Sequence, residues 1–322
     1  MSHRSPLLHS LKRTDSLAPL CAFNKPMAQI LDGTVVRNDI LARLRPRVEK
    51  LRRPPGLAVV LVGHNAASEI YVRSKIKACG ELGVYSDKLA PPVTSTTEEL
   101  IEVIADLNRR ADIDAILVQM PLPAHVDTRR VLEALAPDKD ADGFHPYNVG
   151  LLVSGRPAPK ACTPAGIIEM LKHYRVPLDG RSAVVIGRSD IVGKPMALML
   201  LHENCTVTIC HSRTAQLDEE CRRADILIAA IGRPALVTSS FIAPGAVVVD
   251  VGMNRITDRT HAESLGRAEE FDRKGSALVG DVHPIDVARA AGAYTPVPGG
   301  VGPLTIAMLM SNTVALAERR QA

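Results

Sequence analysis

The stretch Ile186-Gly187-Arg188-Ser189-Asp190-Ile191-Val192-Gly193-Lys194-Pro195 decides how this chain is read. An apolar run, residues 183–186, leads into it, and a helix-forming run, residues 196–201, leads out. A glycine at a strand end lets the backbone approach an anion, and the helix start that follows aims free N–H groups and a positive dipole end at it. A P-loop is excluded, because it has four residues between its glycines and Ser or Thr after the Lys. Here there are five, followed by Pro195. The standard G-x-G-x-x-G is also absent, so the loop taken alone is equally an ordinary strand-to-helix turn.

Its surroundings favour the ligand-binding reading. Strands are predicted at 206–210, 226–231 and 246–251, with a polar helix region at 215–223 between the first two. Short Val/Ile/Ala-rich strands separated by helix-length segments predict a parallel sheet covered on both faces. Gly187, Gly232 and Gly252 stand at strand ends, where open parallel sheets bind ligands. After the second strand come Cys210-His211-Ser212-Arg213, with no carboxylate to bind a ribose 2′-hydroxyl. Ser212 and Arg213 suit a 2′-phosphate instead, which predicts NADP over NAD.

The first half alternates in the same way. A strand at 57–62 precedes a helix at 66–82 stopped by Gly83. Thr96 and Glu99 form a capping box, a strand follows at 115–118, and a short helix at 129–136. Residues 138–159 read as a loop-like join. Thr163-Pro164 reads as the N-cap and first position of the next helix. The predicted fold class is therefore α/β, with two α/β domains facing a cleft and the second a Rossmann-like parallel-sheet nucleotide-binding domain. The expected divisions are an N-terminal extension at 1–26, a catalytic domain at 27–147 completed by a C-terminal helix at 301–322, and a nucleotide domain at 148–300. A length of 322 residues gives each domain room for a core.

Composition excludes several classes. Aromatics are 3% of the chain and Trp is absent, which argues against stacking on single-stranded nucleic acid. The net charge is +4, and residues 1–26 carry +3 of it, so no global basic field exists. No apolar run is judged long enough to span a membrane, and neither a nucleic acid nor a membrane partner is expected. The six cysteines form no C-x-x-C and sit mostly in apolar segments, as in a reducing cytoplasmic protein. His145, His211 and His283 are isolated, and no metal site is expected. The extension is basic and Ser-containing like an organelle transit peptide, but a disordered tail or a true start at Met27 fits it too, and it is expected to be dispensable.

Catalytic candidates lie in the first half. Tyr71 and Lys75 are spaced i, i+4 and share a helix face. A lysine in an apolar cleft can exchange protons near neutrality. The same spacing also describes an interface tyrosine beside a solvated lysine. Gln119 follows the strand at 115–118, and Asp142 lies in an Asp-Gly turn. Both positions suit a ligand or plain turn chemistry.

With these stretches in view, the chain resembles the bifunctional methylenetetrahydrofolate dehydrogenase/methenyltetrahydrofolate cyclohydrolase family, from Met27 to about Arg319. The resemblance rests on Ile30-Leu31-Asp32-Gly33, the Tyr71/Lys75 helix, residues 117–123 and 137–146, Cys162-Thr163-Pro164, residues 187–195, residues 211–214 and residues 295–303. It implies oxidation of 5,10-methylenetetrahydrofolate to the 5,10-methenyl form with NADP, then hydrolysis to 10-formyltetrahydrofolate, supplying one-carbon units for purine and related biosynthesis.

The resemblance also implies roles. Lys75 is the proton-transfer group, Gln119 its hydrogen-bond partner, Tyr71 a wall for the folate rings and Asp142 the pterin contact. Pro298, Gly299 and Gly300 close over the folate. Gly187, Arg188 and Ser189 meet cofactor phosphates, with Ser212, Arg213, Gly232 and Met253 completing that site. A homodimer paired through the nucleotide domains is implied, with the last helix packing on the first domain. Three departures stand out: Leu151 for a usual Arg, Met253 for a usual Ile, and a long, charged segment at 255–279 expected to form an exposed loop or hairpin. A binding-only relative, or a dehydrogenase with weak cyclohydrolase activity, is the alternative, and retention of Tyr71, Lys75, Gln119 and Asp142 favours the bifunctional enzyme.

Overall fold

A computed structural model describes residues 28–322; the extension and Met27 lie outside them. The first layer is a three-stranded parallel sheet, order β3-β2-β4, of β2 (Gly56–Val60), β3 (Tyr85–Leu89) and β4 (Ala115–Val118). Helices α1 (Gly33–Glu49), α2 (Ala66–Leu82) and α3 (Thr97–Arg109) accompany it, followed by the short α4 (Thr128–Glu133) and α5 (Pro146–Val153). The second layer is a six-stranded sheet, order β1-β11-β8-β7-β5-β6. Its strands are β1 (Gln29–Ile30), β5 (Ser182–Ile186), β6 (Thr206–Cys210), β7 (Ile226–Ala229), β8 (Val247–Asp250) and β11 (Ala293–Tyr294), and all its pairings are parallel. Helices α6 (Cys162–His173), α7 (Gly193–His202), α8 (Leu217–Cys221) and α11 (Pro284–Ala290) belong to this half.

The strand order sets the ligand crevice. The chain runs from β5 out to β6, then returns to lay β7 on the opposite flank of β5. The connections leave in opposite directions between β5 and β7, which is where an open parallel sheet binds its ligand. Gly187 follows β5 there with φ +133°, and a Cβ on it would lie 2.2 Å from the Ala230 carbonyl oxygen beyond β7. Only glycine fits that approach.

The last helix, α12 (Val301–Gln321), packs against α1, α2 and α6 and so ties the two layers together. Contrary to expectation, this helix is long and apolar enough to cross a membrane by length and composition. Its buried face, with Leu304, Ala307, Leu309, Met310 and Val314, marks it as a core helix. Asn312, on the same buried stretch, donates to the Ala141 and Lys160 carbonyls, both at 2.9 Å, holding the junction between the halves.

Several predicted elements change. The 138–159 join contains α5, with Pro146 in its first turn and His145 capping it through Tyr147 N–H. Proline is tolerated there because the N–H it lacks would be unbonded anyway. Thr163-Pro164 is not the helix entry: α6 begins at Cys162, and Thr163 Oγ1 instead bonds Thr305 Oγ1 of α12 at 2.8 Å. The short helix of the first half ends at Glu133, and β2, β7 and β8 stop before the apolar runs do. The two-residue strand β1 joins the nucleotide-side sheet although the chain then enters the first layer. Segment 255–279 is more than a loop or simple hairpin. It holds the antiparallel pair β9 (Asn254–Ile256) and β10 (Ala277–Val279) with α9 (Arg259–Ser264) and α10 (Ala268–Lys274) between them, around its own core of Ile256, Ala262, Leu265, Ala277 and Val279.

Candidate active site

Helix α2 is held at both ends: Asn65 accepts from Ser68 N–H, and Gly83 ends the helix in the left-handed conformation. Between those stops Tyr71 and Lys75 share the face that looks into the cleft. Lys75 is buried, and its Nζ donates to Gln119 Oε1 at 2.9 Å. Gln119 sits one residue past β4, and its Nε2 donates to the Met120 carbonyl at 2.7 Å. That second bond fixes the amide so that oxygen, not nitrogen, faces the lysine. The Met120–Pro121 and Val297–Pro298 peptides are both cis.

Asp142 enters from the turn between α4 and α5. Its neighbour Asp140 is buried and accepts from Gly143 N–H, His145 N–H and Asn148 Nδ2, which anchors the turn. Burial pushes the Asp142 carboxyl up to about 6, against the pull of Lys75. Tyr71 has its pKa raised by burial, and its hydroxyl meets Met253 Sδ from beyond β8. A cavity of about 520 Å³ unites Tyr71, Lys75, Gln119 and Asp142 with Pro298, Gly299 and Gly300 on its far side. Gly33 at the start of α1 seats that far loop, since its N–H donates to the Gly299 carbonyl at 2.9 Å.

The predicted cofactor residues are split by the structure. Met253 lines this cavity, whereas Gly187, Arg188, Ser189, Ser212, Arg213 and Gly232 lie outside it. Ser189 Oγ accepts from Val192 and Gly193 N–H, both at 3.2 Å, at the entry of α7. Ser212 and Arg213 are exposed on a turn closed by His211 and Thr214. The glycine approach at the crevice, the α7 N-terminus and a cationic turn with no carboxylate fit a dinucleotide bearing a 2′-phosphate.

Sequence reasoning missed Asp250 and Asp281. Both are buried. Asp250 accepts from Gly252, Asp281 and Val282 N–H, and Asp281 from Ile231 and Gly232 N–H and Asn254 Nδ2. Burial pushes Asp250 up to about 7, although its three donors pull the other way. The near-mirrored Asp250-Val251-Gly252 and Gly280-Asp281-Val282, each carrying a carboxylate at the end of an apolar run, were the available signal. Among the described residues no cluster of His, Cys, Asp and Glu could hold a metal ion. His145 and His283 are helix caps.

A parallel-sheet nucleotide half facing a smaller α/β half, with a lysine–amide pair and a carboxylate in the cleft, defines a two-domain nicotinamide-dependent dehydrogenase with an added acid–base site. Residues 31–142 match the catalytic-domain model of tetrahydrofolate dehydrogenase/cyclohydrolase, and residues 161–321 match its NAD(P)-binding-domain model. The chain belongs to the tetrahydrofolate dehydrogenase/cyclohydrolase family. It is 61% identical over 302 residues to the bifunctional protein FolD of Solibacter usitatus, covering 91% of this chain and 99% of that one. Among solved structures it is similar to the bifunctional FolD methylenetetrahydrofolate dehydrogenase/cyclohydrolase of Campylobacter jejuni, with a TM-score of 0.84 and 41% identity over 91% of this chain and 99% of that one. It is also similar to the Trypanosoma brucei enzyme complexed with NADP cofactor and inhibitor, with a TM-score of 0.82 and 37% identity over 91% and 98%.

Proposed function

We propose that this chain oxidises 5,10-methylenetetrahydrofolate to 5,10-methenyltetrahydrofolate with NADP and hydrolyses that cation to 10-formyltetrahydrofolate. The observation that carries the reading is the Lys75–Gln119 pair, which lines one cavity with Asp142 and Tyr71. NADP, when bound, supplies the acceptor for the hydride. In that half-reaction the protein's task is positioning. Ionised Asp142 accepts the pterin's N–H donors and sets its register, while Tyr71 and the Pro298–Gly299–Gly300 loop bound the ring system. No proton leaves carbon, so the lysine amine has none to remove.

Hydrolysis makes other demands. A water that attacks the methenyl carbon must lose a proton, and a ring nitrogen must gain one as its bond to that carbon breaks. One proton is released overall. Lys75 Nζ, oriented by Gln119 Oε1, is the group to hold and move the proton at this position. The test is a purified-enzyme assay with methylenetetrahydrofolate and NADP that follows NADPH and the methenyl chromophore separately. NADPH should form faster than methenyl accumulates. No NADPH would overturn the dehydrogenase reading, and stoichiometric methenyl accumulation would overturn the cyclohydrolase.

The finer partner assignments are also ours. A homodimer through the nucleotide halves is supported by β6, an edge strand with exposed Ile209, and by exposed Leu201 on the adjoining α7; sedimentation at the mass of one chain would refute it. A cytoplasmic location is supported by five buried, unpaired cysteines among the described residues. Import of a tagged full-length chain into an organelle would refute that.

A further inference from the structure

The loop between β11 and α12, residues 295–300, bounds the substrate cavity through Pro298, Gly299 and Gly300. Its two ends are pinned. Thr295 N–H donates to the Val248 carbonyl, and Thr295 Oγ1 accepts from Asp250 N–H at 2.8 Å. At the other end Gly33 N–H donates to the Gly299 carbonyl. The middle is poor in bonding groups. In Pro296-Val297-Pro298 neither proline has an N–H, so Val297 is left as the sole backbone donor. The Pro296 carbonyl accepts from Gly300 N–H within the loop. The Val297 carbonyl is bonded from outside it: Arg267 Nη2, 30 residues away in the chain, donates to it at 2.7 Å.

Arg267 comes from the charged segment at 255–279, a departure from the family pattern to which the resemblance assigns no role. It immediately precedes α10, and its own N–H donates to the Ala262 carbonyl at 2.7 Å. Ala262 and Leu265 belong to the segment's small core, so the backbone that carries the guanidinium is itself fixed. The guanidinium is nevertheless incompletely satisfied: among the described residues Arg267 Nε is buried with no hydrogen-bond partner. A buried, unpaired donor on a cation costs stability. Fold stability alone therefore gives no reason for an arginine at this position, whereas its side-chain hydrogen bond goes to the loop that bounds the substrate cavity.

We propose that Arg267 is a positioning residue for the folate: through the Val297 carbonyl it holds Pro298, Gly299 and Gly300 in place before substrate arrives, and the 255–279 segment is the brace that carries it. This inference rests on the folate reading of the cleft. A loop held beforehand does not have to be ordered by the substrate, so the bond acts on folate affinity. Arg267 does not line the substrate cavity and touches no reacting group there, so the rate of hydride transfer in the assembled complex is left nearly alone.

The experiment measures KM for 5,10-methylenetetrahydrofolate, KM for NADP and kcat of the dehydrogenase reaction in the wild type and in Arg267→Ala. Loss of a charge-assisted hydrogen bond should raise the folate KM by about tenfold. The kcat and the KM for NADP should stay within about twofold, because only binding of the folate is weakened. An unchanged folate KM in the folded variant, or a parallel rise in both KM values, would overturn the proposal. Hydrogen exchange on the unaltered enzyme tests it without mutation. An unreactive folate analogue should slow exchange in peptides covering 262–271 together with those covering 295–300, since stabilising the loop stabilises the segment bonded to it. Slowed exchange at 295–300 alone, or at neither, would overturn it. Turnover of methylenetetrahydrofolate with NADP by the unaltered enzyme separates the two readings. Its absence would defeat the folate-oxidation reading, whereas turnover with a folate KM indifferent to Arg267 would defeat the brace alone.

Discussion

Lys75 and Gln119 meet across the cleft floor, one from the middle of α2 and the other from the end of β4, with Nζ and Oε1 2.9 Å apart. The amide is itself held by the Met120 carbonyl, so the lysine is oriented by a side chain that cannot easily rotate. On the proposed chemistry, this keeps the acid–base group in place without a second charged residue bonded to it.

Replacing Lys75 with Met keeps the aliphatic length that fills the buried position and removes the amine. Cyclohydrolase activity should fall by roughly two to four decades, the range for general acid–base groups. Dehydrogenase activity should fall much less, so methenyltetrahydrofolate should accumulate in a coupled assay. Equal loss of both activities would make Lys75 a substrate-positioning group, and full retention of hydrolysis would remove it from the mechanism.

Asp142 predicts opposite effects on binding and stability. Its carboxyl titrates at about 6, so kcat/KM should decline as pH falls below that value and the ionised acceptor is lost. The folded pKa lies above the unfolded value of about 4, so the folded state binds the proton more tightly. The stabilisation is therefore complete below about pH 4 and is lost as pH rises through about 6. Asp142→Asn should cut kcat/KM by roughly tenfold or more, through a lost charge-assisted hydrogen bond. It should also raise Tm at pH 8 while changing it little at pH 4. A Tm that falls at pH 8 would show that the carboxylate is structural.

Features set by near neighbours in the chain were legible in the sequence. The limits of α2, the Thr96–Glu99 capping box and the Gly187 turn are of this kind. Helix α5 was hidden because Pro146 and the nearby glycines carry the same signal in a loop as in a first turn. Strands β1 and β11, two residues each, are too short for any periodicity. Tyr71 and Lys75 stayed ambiguous from spacing alone and gained meaning through the family resemblance. Asp281 showed in the sequence only as a carboxylate after an apolar run; its acceptor role depends on Ile231 and Gly232, some fifty residues away.

Cofactor choice should depend on the exposed turn after β6. Arg213→Ala removes the guanidinium placed to receive a 2′-phosphate, and a charge-assisted bond of that kind is worth roughly 1.5–3 kcal/mol. The KM for NADP should rise by about tenfold or more while that for NAD changes little. Because Arg213 is exposed, thermal stability should stay near wild type. If NAD already supports turnover as efficiently as NADP in the unaltered enzyme, the assignment fails.

Asp281 braces the edge of the nucleotide crevice. Its side chain ties the Ile231–Gly232 turn beyond β7 to Asn254 at the start of β9, while its own N–H donates to Asp250. Asp281→Ala leaves two backbone donors and one amide without their acceptor in a buried position. Each unsatisfied donor costs about 1–3 kcal/mol, reduced wherever water can enter. Asp281→Ala should therefore lower Tm substantially. Under conditions where it stays folded, it should weaken NADP binding, because Gly232 is released at the edge of the crevice, with a smaller effect on folate affinity. Calorimetric titration of NADP and of a folate analogue separates the two. Equal weakening of both would assign Asp281 to general stability, and unchanged NADP affinity would dissociate this carboxylate from the cofactor site.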